Sequence, residues 1–389
     1  MQRKIIALAI ASTVTGLSHA GEVSLSTASA TNITIYGTLD GGYMSRNDSN
    51  GSYKAAAGAT YQGKKSEFAS GIESDSRLGL KGSHSLENGM TAFFQLEAGI
   101  ALDDGKTILN DSTGNGVFRR KSFVGITGEK GTFVFGRVDG GRYGIAEKYD
   151  PFANGTVANM ASIQVHGTRA DNAIAYISPT WNGFSVLTAY TTQLIGQENP
   201  GNNGDGRLFA IIPSYNNGPL SVTIDYEHFK TKGAEKYPTK IYVAAASYDF
   251  GAVKLHGYFE KIKTDNYSDL FANTLGTWNA LYHHESWMIG ASAPVLNDKA
   301  KLRASYVEMK DKTSLDASCK KVGIGGVYYL DKERQIHIYA DFAHVSNKSN
   351  GICSITPTPS RTAIDSGGTG SPVSGYGTNG FDLGISYSF

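Results

Sequence analysis

The stretch from Phe381 to Phe389 alternates without a break. Phe381, Leu383, Ile385, Tyr387 and Phe389 fall on one side of an extended chain, and Asp382, Gly384, Ser386 and Ser388 on the other. Such a strand has one oily face and one small, polar face. With no later segment to pair with, its open edge needs a partner from earlier in the sequence, because an apolar exposed edge invites aggregation. Pairing with the first strand removes the edge, so this stretch predicts a closed barrel.

Period-two segments recur through the rest of the chain, and the spacers between them alternate short and long. The first strand is read as Asn32 to Tyr43, followed by a long polar spacer to Asp75. Arg77 to Gly82 and Thr91 to Gly99 follow, then a medium loop, Leu102 to Gly116. Phe118 to Thr127 turns tightly into Thr132 to Arg137, and Asp139 to Thr168 shows no clear strand. Beyond it the pairs are Arg169–Ile177 with Phe184–Thr191, Arg207–Tyr215 with Leu220–Phe229, and Ile241–Phe250 with Val253–Ile262. Ser286–Ala293 with Lys301–Met309 and Val322–Leu330 with Gln335–Val345 complete the series before the loop Asn347–Gly380 and the closing strand. That is about sixteen strands with every second connection tight, the pattern of a barrel with short turns on one membrane side and long loops on the other.

Composition and targeting point the same way. The 389 residues include 47 Gly against 10 Pro, with 22 Tyr, 17 Phe and 3 Trp, a turn-rich and Tyr-rich make-up suited to many short strands. Met1 to Ala20 reads as a secretory signal peptide: Arg3 and Lys4 lead an apolar run that ends at Ser18-His19-Ala20. The remaining chain, 21–389, is then a single barrel. After the signal no run reaches the roughly 18 apolar residues that a spanning helix needs. An exported chain of this kind can still cross a membrane as a closed barrel. A mean hydropathy of -0.26 fits, since alternate residues of such a barrel face water. The formal charge of +1 gives no electrostatic footprint for nucleic acid.

The two faces separate cleanly in several strands. Leu220, Val222, Ile224 and Tyr226 alternate with Ser221, Thr223, Asp225 and Glu227; Ile336, Ile338, Ala340 and Phe342 alternate with His337, Tyr339 and Asp341. Periodicity alone does not say which face is inside. The signal peptide, the strand number and the aromatics near strand ends place the charged face around a wet interior and the oily face in lipid.

Several stretches resemble the general trimeric porins of Gram-negative outer membranes. They are Asn32-Ile-Thr-Ile-Tyr-Gly-Thr-Leu-Asp40, Arg77-Leu-Gly-Leu-Lys-Gly82, Phe94-Gln-Leu-Glu97, Arg120-Lys-Ser-Phe-Val-Gly125, Gly131-Thr-Phe-Val-Phe-Gly-Arg137 and the terminal Phe389. The resemblance implies an all-β, 16-stranded antiparallel transmembrane barrel in the bacterial outer membrane, assembled as a homotrimer, with a long third loop folded into the lumen. It also implies contact with outer-membrane lipid and lipopolysaccharide, and passive passage of small hydrophilic solutes and ions. The third loop corresponds to Asp139–Thr168, and the family pattern suggests Glu147 and Asp150 as its acidic residues. Arg77 and Arg120 match the basic wall opposite, with Lys81 and Arg169 as additions, and Glu97 matches a lumen carboxylate.

No cofactor or metal is expected. Gly375-Tyr-Gly-Thr-Asn-Gly380 has dinucleotide-loop spacing but precedes a strand instead of a helix, and His283-His284-Glu285 reads as a solvated loop. Arg119-Arg120-Lys121, read as part of a strand, puts at most two side chains on one side. Cys319 and Cys353 suit one disulfide in an oxidising compartment. A barrel-borne enzyme or adhesin, and a substrate-specific channel, stand as alternatives. An enzyme would need a nucleophile, base and orienting group at recognisable spacing, which the sequence does not display.

Overall fold

The computed structural model describes residues 23–26, 31–47, 64–105, 110–111, 114–164, 167–198, 206–231, 238–265, 283–313, 316–349, 351, 353–356 and 377–389. Residues 1–20, the expected signal peptide, lie outside them. The described strands close into a 16-stranded antiparallel barrel.

Strand β1 is Thr31–Asn47. Strand β2 is in two pieces, Lys64–Ser70 and Arg77–Ser85, which pair with the end and the start of β1 respectively. The front piece falls inside what the sequence reads as polar spacer, because Lys-Lys-Ser-Glu-Phe-Ala-Ser carries only Phe68 as a large apolar residue, and that side chain points out. Strands β3 (Thr91–Gly99), β4 (Ser122–Gly128) and β5 (Gly131–Asp139) follow. Helix α1, Gly141–Tyr149, and a 3-10 turn, Met160–Ile163, occupy the third long connection. Then come β6 (Arg169–Ile177), β7 (Phe184–Thr191), β8 (Gly206–Asn217), β9 (Leu220–Thr231), β10 (Thr239–Asp249) and β11 (Lys254–Thr264). The last five are β12 (His283–Val295), β13 (Ala300–Asp311), β14 (Cys319–Tyr329), β15 (Ile336–Asn347) and β16 (Asn379–Ser388).

Closure runs through both ends of the strand series. β16 pairs with β1 from Thr38↔Ser388 to Asn47↔Asn379, and Gly37 and Phe389 exchange backbone hydrogen bonds of 2.9 and 3.0 Å. A Cβ on Gly37 would lie 2.5 Å from Phe389 Cζ, so only glycine lets the terminal ring lie against β1. Val23–Ser26 pairs with β1 at Asn32–Ile35, extending the sheet beyond the point where β16 stops.

The faces sort as a membrane barrel requires. Ile224, Leu255, Phe342, Phe381, Leu383 and Ile385 are exposed, whereas Asp225, Glu260, Asp341 and Asp382 are at most 2 % exposed. The inner face is not polar throughout, however. Met288, Val307, Met309, Ala343 and Val345 are on that face and pack with Val157, Ala158, Met160 and Ile163 of the third connection, so part of it is apolar and buried. His283–Glu285 belongs to β12 and not to a solvated loop: His284 turns inward to Glu260, 3.3 Å away, and Glu285 turns outward to Lys261 and Lys312.

Cys319 and Cys353 are joined with their sulfurs 2.04 Å apart. The bond ties the start of β14 to residues 353–356, which are buried; Asn159 of the third connection donates to the Thr356 carbonyl at 2.8 Å.

Candidate pore constriction

The ends of β3 and β5, the start of β6 and the residues just before β4 converge on one side of α1. Glu97, on the inner face of β3, accepts from Tyr36 Oη at 2.7 Å and from Arg120 Nε at 3.3 Å, with Lys121 Nζ 3.8 Å away. Arg120 also bonds to Asp75, in the turn that interrupts β2. Lys121 pairs with Asp139 at 2.9 Å, Asp139 pairs with Arg169 at 3.1 Å, and the Arg169 guanidinium lies 5.1 Å from the Tyr143 ring centre on α1. The result is a chain of alternating sign, Asp75–Arg120–Glu97–Lys121–Asp139–Arg169. Arg120 and Lys121 both reach Glu97 because β4 starts at Ser122, later than the Phe118 read from the pattern, so strict alternation does not hold between them.

Of the candidate residues, the structure brings Arg77, Arg120, Arg169, Glu97 and Glu147 together. Arg77 donates to Ser74 Oγ and the Asp75 carbonyl, both at 3.0 Å. Glu147 lies on α1, where burial and the neighbouring Asp139 push its carboxyl above the usual range against the pull of Lys121, Arg77 and Arg169. Burial and Glu147 likewise push up the Tyr143 hydroxyl. Lys81 stands one step away, with Nζ 5.4 Å from the Tyr36 ring centre. Asp150 is placed differently from the expected wall-facing acid. It is 3 % exposed and accepts the backbone N–H groups of Phe152, Asn154 and Met160 at 3.1, 3.3 and 2.9 Å. Those bonds hold a turn in which Ala153, Asn154 and Thr156 have positive φ, so Asp150 shapes the segment from within.

The far side of α1 is bound to the wall. Arg142 reaches Glu227 on β9 and Glu260 on β11 at 3.1 and 3.2 Å, and Tyr149 Oη lies 2.8 and 2.9 Å from Ser221 and Thr223. Lys148 donates to Asn216 Oδ1 at 2.7 Å; burial and Lys254 pull its ammonium down to about 8. Beyond Asp150, Val157 donates to Asp382 on β16 at 2.7 Å, Asn159 accepts from Lys321 on β14 at 2.5 Å, and Gln164 donates to Ser286 on β12 at 2.8 Å. Every wall residue in these contacts belongs to the face opposite the exposed apolar one.

Asp75, Lys121, Asp139 and Tyr143 were not among the residues singled out from sequence. Asp75 and Asp139 sit at segment ends, where periodicity gives no face, and only Lys121 carried a signal, as the neighbour of Arg120.

The Gram-negative porin family model matches residues 7–350. The chain belongs to the Gram-negative porin family. It is 30 % identical over 363 residues to outer membrane porin protein 32 of Delftia acidovorans, covering 90 % of each chain. An anion-selective porin from Comamonas acidovorans superposes with a TM-score of 0.69 at 24 % identity, covering 92 % of this chain and 100 % of that one. OmpT of Vibrio cholerae, in a trimer form, gives 0.58 at 16 % over the same shares. This porin is thus a bacterial outer-membrane channel, and its family and structural neighbours are channels, not enzymes.

Proposed function

We propose that this porin passes small hydrophilic solutes and ions by passive diffusion, with residues 140–164 folded into the bore and the Asp75–Arg169 chain facing α1 as its narrowest, charged section. The observation that carries this reading is the convergence of opposed carboxylates and cations on the inner face beside α1. Such an array sets up a field across an aqueous neck, orients dipolar solutes and disfavours apolar ones. Residues 1–20 are removed on export, and the mature chain assembles as a homotrimer among outer-membrane lipid and lipopolysaccharide. The porin has no catalytic role and holds no cofactor. Purified protein in planar lipid bilayers tests this: stepwise conductance in multiples of three with a measurable cation/anion permeability ratio is expected, and protein that inserts without conducting would overturn it.

A further inference from the structure

The wall of the bore is not charged all the way round. Across β3 to β8 one inward row reads Phe93, Gly125, Val134, Ala175, Ala189 and Ala210, each opposite the next in register. The rows on either side, from Gln95 to Leu208 and from Thr91 to Ile212, also carry no ionisable side chain. The inner face of β9 to β15 is the opposite, holding Asp225, Glu227, Glu260, Arg303 and Asp341. α1 is pinned to that charged side through Arg142 and Tyr149.

Between α1 and the uncharged wall lies a cavity of ≈ 730 Å³, within the roughly 300–1,000 Å³ of pockets that enclose drug-sized ligands. The helix turns glycines toward it; a Cβ on Gly141 would lie 2.7 Å from Ile212 Cδ1. A Cβ on Gly125 would lie 2.3 Å from Phe93 Cζ, so the Phe93 ring lies across the sheet as part of the wall surface. Of the charged side chains around the cavity, Lys121 is bridged to Asp139, Glu227 to Arg142, and Glu129 stands on the tight turn between β4 and β5. Lys148, in the last turn of α1, touches the neutral amide oxygen of Asn216.

We propose that this cavity is a binding surface for amphipathic organic monocarboxylates, the aromatic or alkyl body against the uncharged wall of β3–β8 and the carboxylate at Lys148. The proposal rests on the diffusion-channel reading and adds a preferred solute class to it. An apolar body leaving water gains by covering Val134, Ala189 and Leu187, whereas on the charged side it would separate groups from their hydration or their partners. Lys148, a cation whose partner is a neutral amide, fits one carboxylate.

Single-channel currents in planar bilayers test this with two probes of equal charge, 3-phenylpropionate and acetate. We expect 3-phenylpropionate to interrupt the current in a concentration-dependent way at one-tenth or less of any acetate concentration that does so. Ala189→Asp, which sets a charge in the middle row, and Lys148→Gln, on the helix, should each weaken that block at least tenfold. The open-channel current in the same traces shows that a variant has folded and inserted; if Ala189→Asp does not, Leu187→Asn replaces it. Equal effects of the two anions on the unaltered porin, or block that survives both variants, overturn the proposal. A porin that never conducts overturns the channel reading instead.

Discussion

Arg120 is held from two directions, by Asp75 in the interruption of β2 and by Glu97 on β3. Neutralising it leaves two carboxylates short of a cation, and neutralising Arg77 removes a second positive charge beside them. A unit charge about 4 Å from a passing ion is worth about 1 kcal/mol in water. Arg77→Gln with Arg120→Gln is therefore expected to move the permeability ratio toward cations, on the order of fivefold for each charge removed, as read from reversal potentials in a salt gradient. An unchanged ratio would remove both residues from the ion path. Lys148 supplies a pH-dependent counterpart. With its ammonium pulled down to about 8 by burial and Lys254, it is charged below that pH and neutral above it. Lys148→Met should differ from the unaltered porin in anion permeability at pH 6.5, and the difference should vanish as the pH passes 9. A difference that persists at high pH would show that Lys148 keeps its charge. Arg120 and Glu97 stand out in the sequence because both belong to stretches that resemble the family, whereas nothing local to Asp150 signals that its oxygens accept from the backbone of Phe152, Asn154 and Met160.

At the scale of elements, the interruption of β2 is the feature that periodicity hid. Gly71 takes positive φ, the backbone leaves the sheet, and the Asp40 carboxylate accepts the N–H groups of Ile72 and Glu73 at 2.6 and 3.1 Å. The turn then projects Glu73 to Arg303 on β13 at 2.8 Å and His337 on β15 at 2.5 Å, and the Ile72 carbonyl accepts from Thr156 at 2.7 Å. It thus joins two distant strands and the third connection. Burial pushes the Glu73 carboxyl up, but Arg303 and His337 outweigh this and bring it down to about 2. A depressed carboxyl contributes stability that is present above its ordinary range and lost as the pH falls through its folded value. Glu73→Gln should accordingly cost about 1–3 kcal/mol at pH 7, the range for a buried donor left without its acceptor. The gap from the unaltered porin should close near pH 2. Melting followed by circular dichroism in detergent at the two pH values checks it; equal melting at pH 7 would show that the turn does not brace the barrel.

For the molecule as a whole, the wet interior and the lipid-facing exterior were readable wherever one face carries charge, as on β9, β11 and β15. They were not readable on β4 to β8, where Phe123, Val134, Ala175 and Leu187 point inward while Val124, Phe135 and Ile174 point outward, so both faces are apolar. Which side is in lipid is decided there by neighbours in the closed sheet. The same closure gives the sharpest global test. Leu383, 51 % exposed near the middle of β16, lies on the outer face, and its neighbour Asp382 is fully buried on the inner one. If the outer face met water, Leu383→Arg would be a surface substitution worth within about 0.5 kcal/mol. In a bilayer, an arginine near the midplane of the lipid face costs roughly 2–4 kcal/mol. Reversible unfolding from lipid vesicles is expected to show the larger loss for Leu383→Arg and a smaller one for Tyr387→Arg near the strand end, on the same outer face, where the side chain reaches the interface. Equal, small losses at both positions would mean that the band running through Leu383 and Ile385 does not face acyl chains, and the membrane-spanning barrel would have to be abandoned along with every assignment of inside and outside that depends on it.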